Sequence, residues 1–308
     1  MAYVFGIDIG GTKIAVAAVS LQGEILARDE IETRAAEGAP RVIARLCHAL
    51  HSLERDDELL GIGVGCTGPV DPRTGHVMNP YTLPTWDDVD IVSPLVDEFF
   101  ARERGRTRVV LENDCDAAAL GEHWIGSARG ATNAIYITVG TGIGAGLILN
   151  NKLYRGVGMV AGEFGHMTIA HDGVTCYCGA RGCLEMYAAG PAIAKAYADK
   201  TRAQNLSARD VMARAQNGDA DARAVVEQTA YYLGVGLGNL ITILAPDVIV
   251  LGGGVMQRFE MFYPTMRATI TKNVTLVPSA QVKIVRAALG QNAGVIGAAK
   301  AFLEMQDA

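Results

Sequence analysis

Long apolar runs, an excess of positive charge and a cysteine framework are three features that this sequence lacks. No stretch reaches about 18 apolar residues without a glycine or a polar interruption, so a membrane-spanning helix is not expected. The chain has 33 Asp and Glu against 27 Lys and Arg, for a net charge of −6, and this balance provides no basic surface for nucleic-acid phosphates. Neither a membrane nor a nucleic acid is expected as a partner.

The first residues do not have the pattern of a signal peptide. Residues 1–5 run straight into a strand-like segment, without the basic and apolar regions of a signal peptide, so we expect a cytoplasmic protein. Hydrophobic residues make up 50% of the 308 residues and charged residues 19%. Such a composition and length favour a compact α/β protein with two lobes over a disordered chain.

Three of the six cysteines are scattered, whereas Cys176, Cys178 and Cys183 lie within eight residues. His166 precedes them in the segment Gly-Glu-Phe-Gly-His. One imidazole and three thiolates are the ligand set of a closed, structural zinc site. Disulfide pairing and simple packing are the alternatives for the cysteines, and His171 is a competing ligand.

Hydrophobic periodicity predicts the elements of the first half. Strands are expected at residues 4–9, 14–19 and 24–31, a helix at 41–53, a strand at 60–64, a long loop at 67–86, a helix at 91–102, a strand at 107–111 and a helix at 115–124. Three successive strands before the first helix indicate an antiparallel meander at one side of a mixed sheet.

The second half repeats this arrangement. A strand at 134–139, a glycine turn at 140–146 and a further extended segment at 147–149 duplicate the unit at residues 4–19. A long helix is expected at 219–244, where glycines at 234, 236 and 238 imply close packing or a kink. A strand at 248–251 and a final helix at 293–302 follow, and we expect that helix to pack back onto the first lobe.

The first glycine motif, Asp8-Ile9-Gly10-Gly11-Thr12-Lys13, lies between two predicted strands. Without a Cβ, its glycines allow backbone N–H groups to approach phosphate oxygens. A Walker loop is not indicated, because such a loop leads into a helix. The motif therefore predicts either a phosphate loop or an ordinary Gly-Gly hairpin.

Two further glycine motifs lie in the second half. Gly140-Thr141-Gly142-Ile143-Gly144 repeats the strand, glycine turn, strand arrangement. Two such turns facing each other across a cleft would clamp a triphosphate, and this pairing favours the phosphate loop. Gly252-Gly253-Gly254 follows a predicted strand and opens a predicted helix, as expected beside a nucleotide or at a plain helix start.

Asp114 is the candidate general base. It lies in Glu112-Asn113-Asp114-Cys115-Asp116, where a predicted strand ends and a helix begins. A carboxylate at this position can project into a cleft and accept the proton of an attacking hydroxyl. The alternative is that Asp114 or Asp116 simply caps the helix.

Together these motifs resemble the ROK proteins (repressor, open reading frame, kinase), a bacterial family whose sugar kinases share the actin/hexokinase/Hsp70 ATPase fold. Residues 67–75 are similar to the family's G-P-V-D-x-x-x-G segment, and residues 162–185 are similar to its G-E-x-G-H and C-x-C-G-x-x-G-C-x-E signature. With the two phosphate loops, the resemblance covers nearly the whole chain. It implies a two-lobed α/β protein with duplicated mixed β-sheet units and an interlobe cleft.

The resemblance also implies a role for each matched residue. Asp114 would be the catalytic base toward the 6-hydroxyl of a hexose, and Asp8 would position Mg²⁺ through water. His166 would bind zinc with one ring nitrogen and the sugar with the other. The remaining sugar-binding residues would be Gly68, Asn79, Asn113, Glu163 and Glu185. ATP and Mg²⁺ would be bound by Asp8, Gly10, Gly11, Thr12, Lys13, Gly140, Thr141, Gly142, Gly252, Gly253 and Gly254, and a structural zinc ion by His166, Cys176, Cys178 and Cys183.

One departure from the family concerns the residues after the base. The family usually has Asn-Asp-Ala-Asn, and here Cys115 and Asp116 replace the last two residues. A second carboxylate two residues from Asp114 would either raise the pKa of the base or alter the rim of the pocket.

The expectation for the whole chain is an ATP-dependent hexose kinase that forms a homodimer or homotetramer. Glucose is the favoured substrate, with N-acetylglucosamine, N-acetylmannosamine and fructose as alternatives. A non-catalytic sugar-sensing regulator is disfavoured, because both phosphate loops are intact and the first begins at Asp8, which leaves no room for a helix-turn-helix. The small lobe is expected at residues 1–112 with about 293–308. The large lobe, with the zinc-binding loop and the second phosphate loop, is expected at 113–292.

Overall fold

Strands and helices alternate along the chain, of which the computed structural model describes residues 2–101 and 108–306. The strands are β1 (Ala2–Ile9), β2 (Lys13–Ser20), β3 (Ile25–Glu32), β4 (Glu58–Cys66), β5 (Val70–Asp71), β6 (His76–Val77), β7 (Val89–Asp90), β8 (Val109–Asn113), β9 (Ala134–Val139), β10 (Ile143–Leu149), β11 (Lys152–Leu153), β12 (Val248–Gly252) and β13 (Lys283–Arg286). The helices are α1 (Ala39–Ser52), α2 (Val92–Phe100), α3 (Asp114–Trp124), α4 (Glu185–Ala188), α5 (Gly190–Thr201), α6 (Ala208–Gln216), α7 (Ala220–Leu244), α8 (Phe259–Asn273) and α9 (Ala293–Gln306).

The predicted elements are present, with boundaries that shift by a few residues. The ends of two of them, Arg102 of the helix at 91–102 and Thr107 of the strand at 107–111, lie outside the described residues. One expectation was wrong in part. The long loop at 67–86 contains β5 and β6, which pair with β7 in a three-stranded antiparallel sheet. Strands of two residues are too short to leave a periodic signal.

Two five-stranded sheets share one strand order. The first sheet has the order β3-β2-β1-β4-β8, and the second has the order β11-β10-β9-β12-β13. In the first sheet β1 is antiparallel to β2 and parallel to β4, and β4 is parallel to β8. In the second sheet β12 is parallel to both β9 and β13. The duplication predicted from the glycine turns therefore extends to the topology of both sheets.

The chain divides into two compact units. The first comprises Met1–Gly130, Gly146–Ala161 and Ala288–Ala308, and the second comprises Ala131–Ala145 and Gly162–Ala287. The predicted lobe boundary at residue 112 precedes α3, whereas α3 packs against α9 inside the first unit. The last two residues of the predicted range 293–308 lie outside the described residues.

Helices cover both faces of the sheet in the first unit. Phe5 of β1 belongs to the core that α1 completes with Leu46. Val4, on the opposite face, packs with Val295 of α9. Because side chains alternate along a strand, Asp8 shares the face of Val4 and points toward α9.

Helix α9 approaches the sheet and α3 so closely that only glycine fits at the contacts. A Cβ added at Gly63 of β4 would lie 1.8 Å from the carbonyl oxygen of Ala298. A Cβ added at Gly297 of α9 would lie 1.5 Å from the carbonyl oxygen of Ala117 in α3. This packing fixes α3, and with it the residues at its first turn, against the carboxyl ends of β4 and β8.

In the second unit the glycines of α7 serve close packing, one of the two predicted alternatives. A Cβ added at Gly234 would lie 2.6 Å from Cβ of Thr269 in α8, and one added at Gly236 would lie 2.9 Å from Cδ2 of Leu184. Helix α7 runs without interruption from Ala220 to Leu244. None of the helices among the described residues, α7 included, combines the length and the apolar character that a membrane crossing requires.

Candidate active site

The first glycine loop (residues 10–12) is the turn of the β1–β2 hairpin. The N–H of Gly10 donates to the carbonyl of Lys13 at 3.0 Å, which closes the turn. Thr33, fully buried just after β3, donates from its hydroxyl to the carbonyl of Gly10 at 2.7 Å. The backbone N–H of Thr33 donates to the carbonyl of Thr12 at 3.0 Å. The loop is therefore fixed before any ligand binds, and Thr33 is a supporting residue that sequence reasoning missed.

Gly11 and Lys13 lie on different sides of this loop. A Cβ added at Gly11 would lie 2.7 Å from the carbonyl oxygen of Thr82, so a larger residue would displace the segment after β6. The ammonium group of Lys13 lies 3.0 Å from Oε2 of Glu30 on β3, at the surface. Of the two, Gly11 is the residue whose identity the packing requires.

Asp8 is the second-to-last residue of β1, directly before Ile9 and the first glycine loop. A Cβ added at Gly294 in the first turn of α9 would lie 2.3 Å from Oδ2 of Asp8, so this carboxylate occupies space that only glycine leaves open. Burial, and secondly the negative charge of Asp114, raise the pKa of Asp8 to about 7. The carboxylates predicted to position Mg²⁺ and to act as the base therefore repel each other within the first unit.

Asn113 and Asp114 make different contacts at the start of α3. Asn113 is the N-cap, and its side chain accepts hydrogen bonds from the backbone N–H groups of Cys115 (2.9 Å) and Asp116 (3.4 Å). Asp114 is half-buried, and burial raises its pKa, although hydrogen bonds from the Cys115 side chain and backbone oppose this. Asn113 is thus the cap of the helix, and Asp114, whose Oδ1 accepts from the N–H of Cys115 at 2.8 Å, is the candidate for another role. Gly68 packs on the cap, since a Cβ there would lie 2.8 Å from Nδ2 of Asn113.

Glu112, two residues before the candidate base, forms an ion pair with Arg155. The Arg155 guanidinium donates to Oε2 of Glu112, at 2.8 Å from its Nε. Burial raises the pKa of Glu112 despite this partner. Asp116 is buried in the same region, where its charge is attracted by Arg155. The pKa of Asp114 is thus raised by its own burial rather than by the charge of Asp116.

The second glycine loop (residues 140–142) joins β9 to β10 and is anchored by Glu185. The backbone N–H of Ile143 donates to Oε2 of Glu185 at 2.6 Å, and a Cβ added at Gly142 would lie 2.6 Å from the same oxygen. The N–H of Gly190, at the start of α5, donates to the carbonyl of Gly140 at 2.8 Å. Thr141 at the tip is exposed. A residue predicted to bind sugar thus also supports the predicted phosphate loop.

The third glycine cluster differs from its prediction. Gly252 ends β12, and a 3₁₀ turn, Val255–Arg258, separates the cluster from α8, so the cluster does not open an α-helix directly. A Cβ added at Gly253, where φ is +88°, would lie 2.4 Å from the carbonyl oxygen of Val139. Nothing lies within 4 Å of a Cβ added at Gly254, so this residue borders open space.

The structure brings His166, Cys176, Cys178 and Cys183 together, with their ligand atoms all within 4.8 Å of one another. Nδ1 of His166 lies 3.6 Å from Sγ of Cys176, and the sulfurs of Cys178 and Cys183 lie 3.7 Å apart. Zinc at ordinary bond lengths in a tetrahedral site would separate such atoms by about 3.6 Å and about 3.8 Å. The cysteines are free thiols, so the residues present fit zinc rather than a disulfide. His171, the competing ligand, is fully exposed.

The remaining predicted sugar residues lie at the surface or beside the cluster. Glu163 is exposed immediately before the 3₁₀ turn Phe164–His166, and Asn79 is exposed after β6 with φ of +56°. Nε2 of His166, on the far side of the ring from Cys176, lies 3.3 Å from the hydroxyl of Tyr177. Burial, and secondly a hydrogen bond to Glu185, raise the pKa of the Tyr177 phenol. Sequence reasoning missed Tyr177, and its position between two predicted ligands was the available signal.

The two similar sheets, each with a glycine turn between its first antiparallel strands, define the actin/hexokinase/Hsp70 ATPase fold. The chain belongs to the ROK family, whose model matches residues 4–305. Both expectations from the sequence are confirmed.

Relatives and solved structures align with almost the entire chain. It is 34% identical to a glucokinase from Halalkalibacterium halodurans, over 95% of this chain and 92% of that one. A ROK hexokinase from Thermus thermophilus superposes with a TM-score of 0.86 at 35% identity, over 99% and 100% of the two chains. A ROK family glucokinase from Streptomyces griseus in complex with glucose and AMPPNP gives a TM-score of 0.82 at 30% identity, over 97% and 98%. These relatives confirm the expected enzyme class, an ATP-dependent sugar kinase.

Regulators are also among the relatives. The chain is 31% identical to a xylose repressor from Bacillus spizizenii, over 98% of this chain and 77% of that one. Family membership alone therefore does not identify the sugar.

Proposed function

We propose that this chain transfers the γ-phosphoryl group of ATP to the 6-hydroxyl of a hexose, with glucose as the preferred substrate. The observation that carries the proposal is the arrangement at the carboxyl end of the first sheet. Asn113 caps α3, and the half-buried Asp114 next to it has a raised pKa, as a general base for a hydroxyl requires. Its carboxylate interacts with Asp8, which lies directly before Ile9 and the first glycine loop.

In the first unit, Asp114 would accept the proton of the sugar hydroxyl as the hydroxyl oxygen attacks phosphorus. The backbone N–H groups of the first glycine loop would hold phosphate oxygens. Asp8, an oxygen ligand of the kind that Mg²⁺ prefers, would hold that ion through water. When bound, Mg²⁺ would neutralise charge on the phosphates. Catalysis would then come mainly from positioning and charge stabilisation.

In the second unit, the side chains of Glu163, His166 and Glu185 would bind sugar hydroxyls. We infer that a structural zinc ion is held by Nδ1 of His166 and the three clustered cysteines, which leaves Nε2–H of His166 as a donor. The zinc ion would fix the orientation of this ring and take no part in phosphoryl transfer. Glucose is supported by the glucokinase relatives, one of which was solved with glucose and AMPPNP.

The substitution Asp114→Asn tests the assignment of the base. It keeps the size of the side chain and removes the proton acceptor, so we expect kcat for glucose phosphorylation to fall by at least about 100-fold. The Kd for glucose, measured by calorimetry, should change little. Asp97→Asn, at an exposed position on α2 in the same unit, is the control and should match the wild type. Turnover of Asp114→Asn within a few-fold of the wild type would remove Asp114 from this role.

Substrate preference is tested by ADP release with a panel of sugars. Glucose should give the highest kcat/KM among glucose, N-acetylglucosamine, N-acetylmannosamine, fructose and xylose. A preference for another hexose would keep the kinase assignment and overturn the choice of glucose. Sugar binding without any ADP release would instead favour the sugar-sensing class to which the xylose repressors belong.

A further inference from the structure

The hydroxyl of Tyr177 lies between two residues that would bind sugar. It is 3.3 Å from Nε2 of His166, and the two rings meet edge to face with centroids 5.3 Å apart at 84°. The same hydroxyl interacts with the carboxylate of Glu185 by a hydrogen bond. Tyr177 is nevertheless 67% exposed, so little packing holds the ring in this position.

The direction of these hydrogen bonds follows from the ligand cluster. Nδ1 of His166 faces Sγ of Cys176 at 3.6 Å, so a neutral ring that ligates through Nδ1 carries its proton on Nε2. Nε2–H then donates to the Tyr177 oxygen, and the Tyr177 O–H donates to the Glu185 carboxylate. The phenol accepts one hydrogen bond and donates another, which is the pattern that a sugar hydroxyl would make with the same two partners.

We propose that, without sugar, the Tyr177 hydroxyl occupies the place of one sugar hydroxyl between His166 and Glu185 and must turn away before the sugar binds. This inference rests on the proposed sugar-kinase function. Tyr177 lies in a turn that is closed by backbone hydrogen bonds of Cys176 with Ala180 and Gly179, and the proposed zinc ligands Cys176 and Cys178 flank it, so the movement would be a rotation of the side chain. The large exposed fraction of the ring leaves room for that rotation.

The Tyr177 hydroxyl stabilises the sugar-free site and weakens sugar binding. In the sugar-free protein the phenol supplies an acceptor for the ring N–H of His166 and a second donor to Glu185, whose Oε2 already accepts from the N–H of Ile143. Sugar binding must then break two existing hydrogen bonds, which weakens the affinity for sugar. Tyr177 is thus a residue that sets sugar affinity, although sugar does not need it as a ligand.

The substitution Tyr177→Phe tests the inference, because it keeps the ring and removes the hydroxyl. We expect the Kd for D-glucose, measured by calorimetry, to fall about two- to tenfold. KM should fall together with Kd, and kcat should change less than KM does. One monodeoxyglucose lacks the hydroxyl that would take the place of the phenol. For that sugar the gain should vanish, because it cannot make the two hydrogen bonds that the phenol made with His166 and Glu185.

Tyr263→Phe, a partly exposed tyrosine on α8 of the same unit, is the matched control and should leave Kd unchanged. An unchanged or higher Kd for glucose in a Tyr177→Phe variant with wild-type zinc content would overturn the inference. The proposed function would still stand in that case if the wild type phosphorylates glucose. A wild type that binds no hexose would overturn both. If Tyr177→Phe loses zinc or unfolds, Tyr177→Leu, which also lacks the hydroxyl, replaces it in the test. A lower Kd for glucose in that variant would support the inference, and an unchanged or higher Kd would overturn it.

Discussion

Asp8 shows how the register of a strand determines the chemistry of one side chain. Val4 and Asp8 share the face of β1 that α9 covers, and the glycine at position 6 between them allows the helix to come close, since a Cβ there would lie 1.9 Å from the carbonyl oxygen of Val295. The same close approach removes water from the Asp8 carboxylate. Burial therefore raises the pKa of Asp8 to about 7, with a further contribution from Asp114.

This raised pKa predicts a pH-dependent effect of Asp8→Asn on stability. Below pH 3.8, the ordinary pKa of an aspartate, the carboxyl is mostly protonated in both the folded and unfolded states and contributes little pH dependence. As the pH rises toward about 7, the unfolded state releases the proton first, so the wild type loses stability that the amide variant keeps. Without Mg²⁺, the difference in unfolding free energy should grow from about pH 4 to pH 7, by up to about 4 kcal/mol, and then level off.

Urea unfolding at a series of pH values in magnesium-free buffer measures this difference. Asp29→Asn, at an exposed position on β3 of the same sheet, should show no such trend. A difference between Asp8→Asn and the wild type that stays constant from pH 4 to pH 8 would mean that Asp8 ionises normally in the folded protein.

Glycines within helices matter at the scale of whole elements, because they set the distance between α7 and α8. Alanine is favoured over glycine in a helix by up to about 1 kcal/mol. At Gly234 this preference is outweighed, because the new Cβ would lie 2.6 Å from Thr269 and 2.9 Å from the carbonyl oxygen of Met266. We expect Gly234→Ala to destabilise the protein by about 1–3 kcal/mol.

Gly238→Ala is the matched control in the same helix. There the nearest atom to the new Cβ is a methyl carbon of Val274 at 3.3 Å, which a small side-chain adjustment can relieve. The helix preference should then prevail, so this variant should unfold at the same or a higher temperature than the wild type. Equal stability of both alanine variants, measured by calorimetric melting, would show that α7 and α8 can separate without cost.

The segment from His166 to Cys183 holds its shape with little regular structure. Its only β contacts within the described residues are two isolated bridges, Thr168 with Cys183 and Thr175 with Arg181. A metal ion would supply the missing constraint. Cys178→Ser should reduce the zinc content well below about one ion per chain and expose the backbone after Arg181 to trypsin.

Cys178 suits this test because it is exposed, so the substitution removes a ligand with little loss of packing. Cys47→Ser on α1 is the control and should keep both zinc and protease resistance. Elemental analysis and mass mapping of the first tryptic cuts provide the two measurements. A Cys178→Ser variant with the full zinc content would show that the cluster is not the zinc site.

At the scale of the whole molecule, the fold was predictable because each sheet begins with the same local pattern. Residues 4–19 and residues 134–149 both read as strand, glycine turn, strand, and both lie in sheets of one topology. The small sheet of β5, β6 and β7 was not predictable, since two-residue strands leave no periodic pattern. Nor was the place of α3 in the first unit, because it depends on the close contact of Gly297 with Ala117 across distant parts of the chain.

The candidate site was predictable where chemistry depends on residues adjacent in sequence. Asn113 and Asp114 and the Cys-x-Cys segment could be recognised in this way, although their roles remain proposals. The supporting residues could not be recognised. Thr33 reaches the first glycine loop only through the pairing of β2 with β3, and Tyr177 meets His166 only after the segment folds back on itself.

Ligand-induced stabilisation of the whole protein separates a kinase from a sugar-sensing relative. A ligand at 100 times its Kd that binds only the folded state adds about 2.7 kcal/mol to the unfolding free energy. A glucose kinase should therefore show a higher melting temperature with glucose and, separately, with Mg²⁺ and AMPPNP. D-xylose at the same concentration should have a smaller effect than glucose. A regulator that responds only to sugar would show no shift with the nucleotide.

Two variants connect these melting shifts to the proposed sites. His166→Ala should lose the glucose shift, because it removes both the Nε2–H donor and a zinc ligand, and should keep the nucleotide shift. Asp114→Asn should keep both shifts and lose turnover, because the carboxylate is needed to accept a proton rather than to hold either ligand. A xylose shift larger than the glucose shift, together with no response to Mg²⁺ and AMPPNP, would contradict the kinase and favour the function of the repressor relatives.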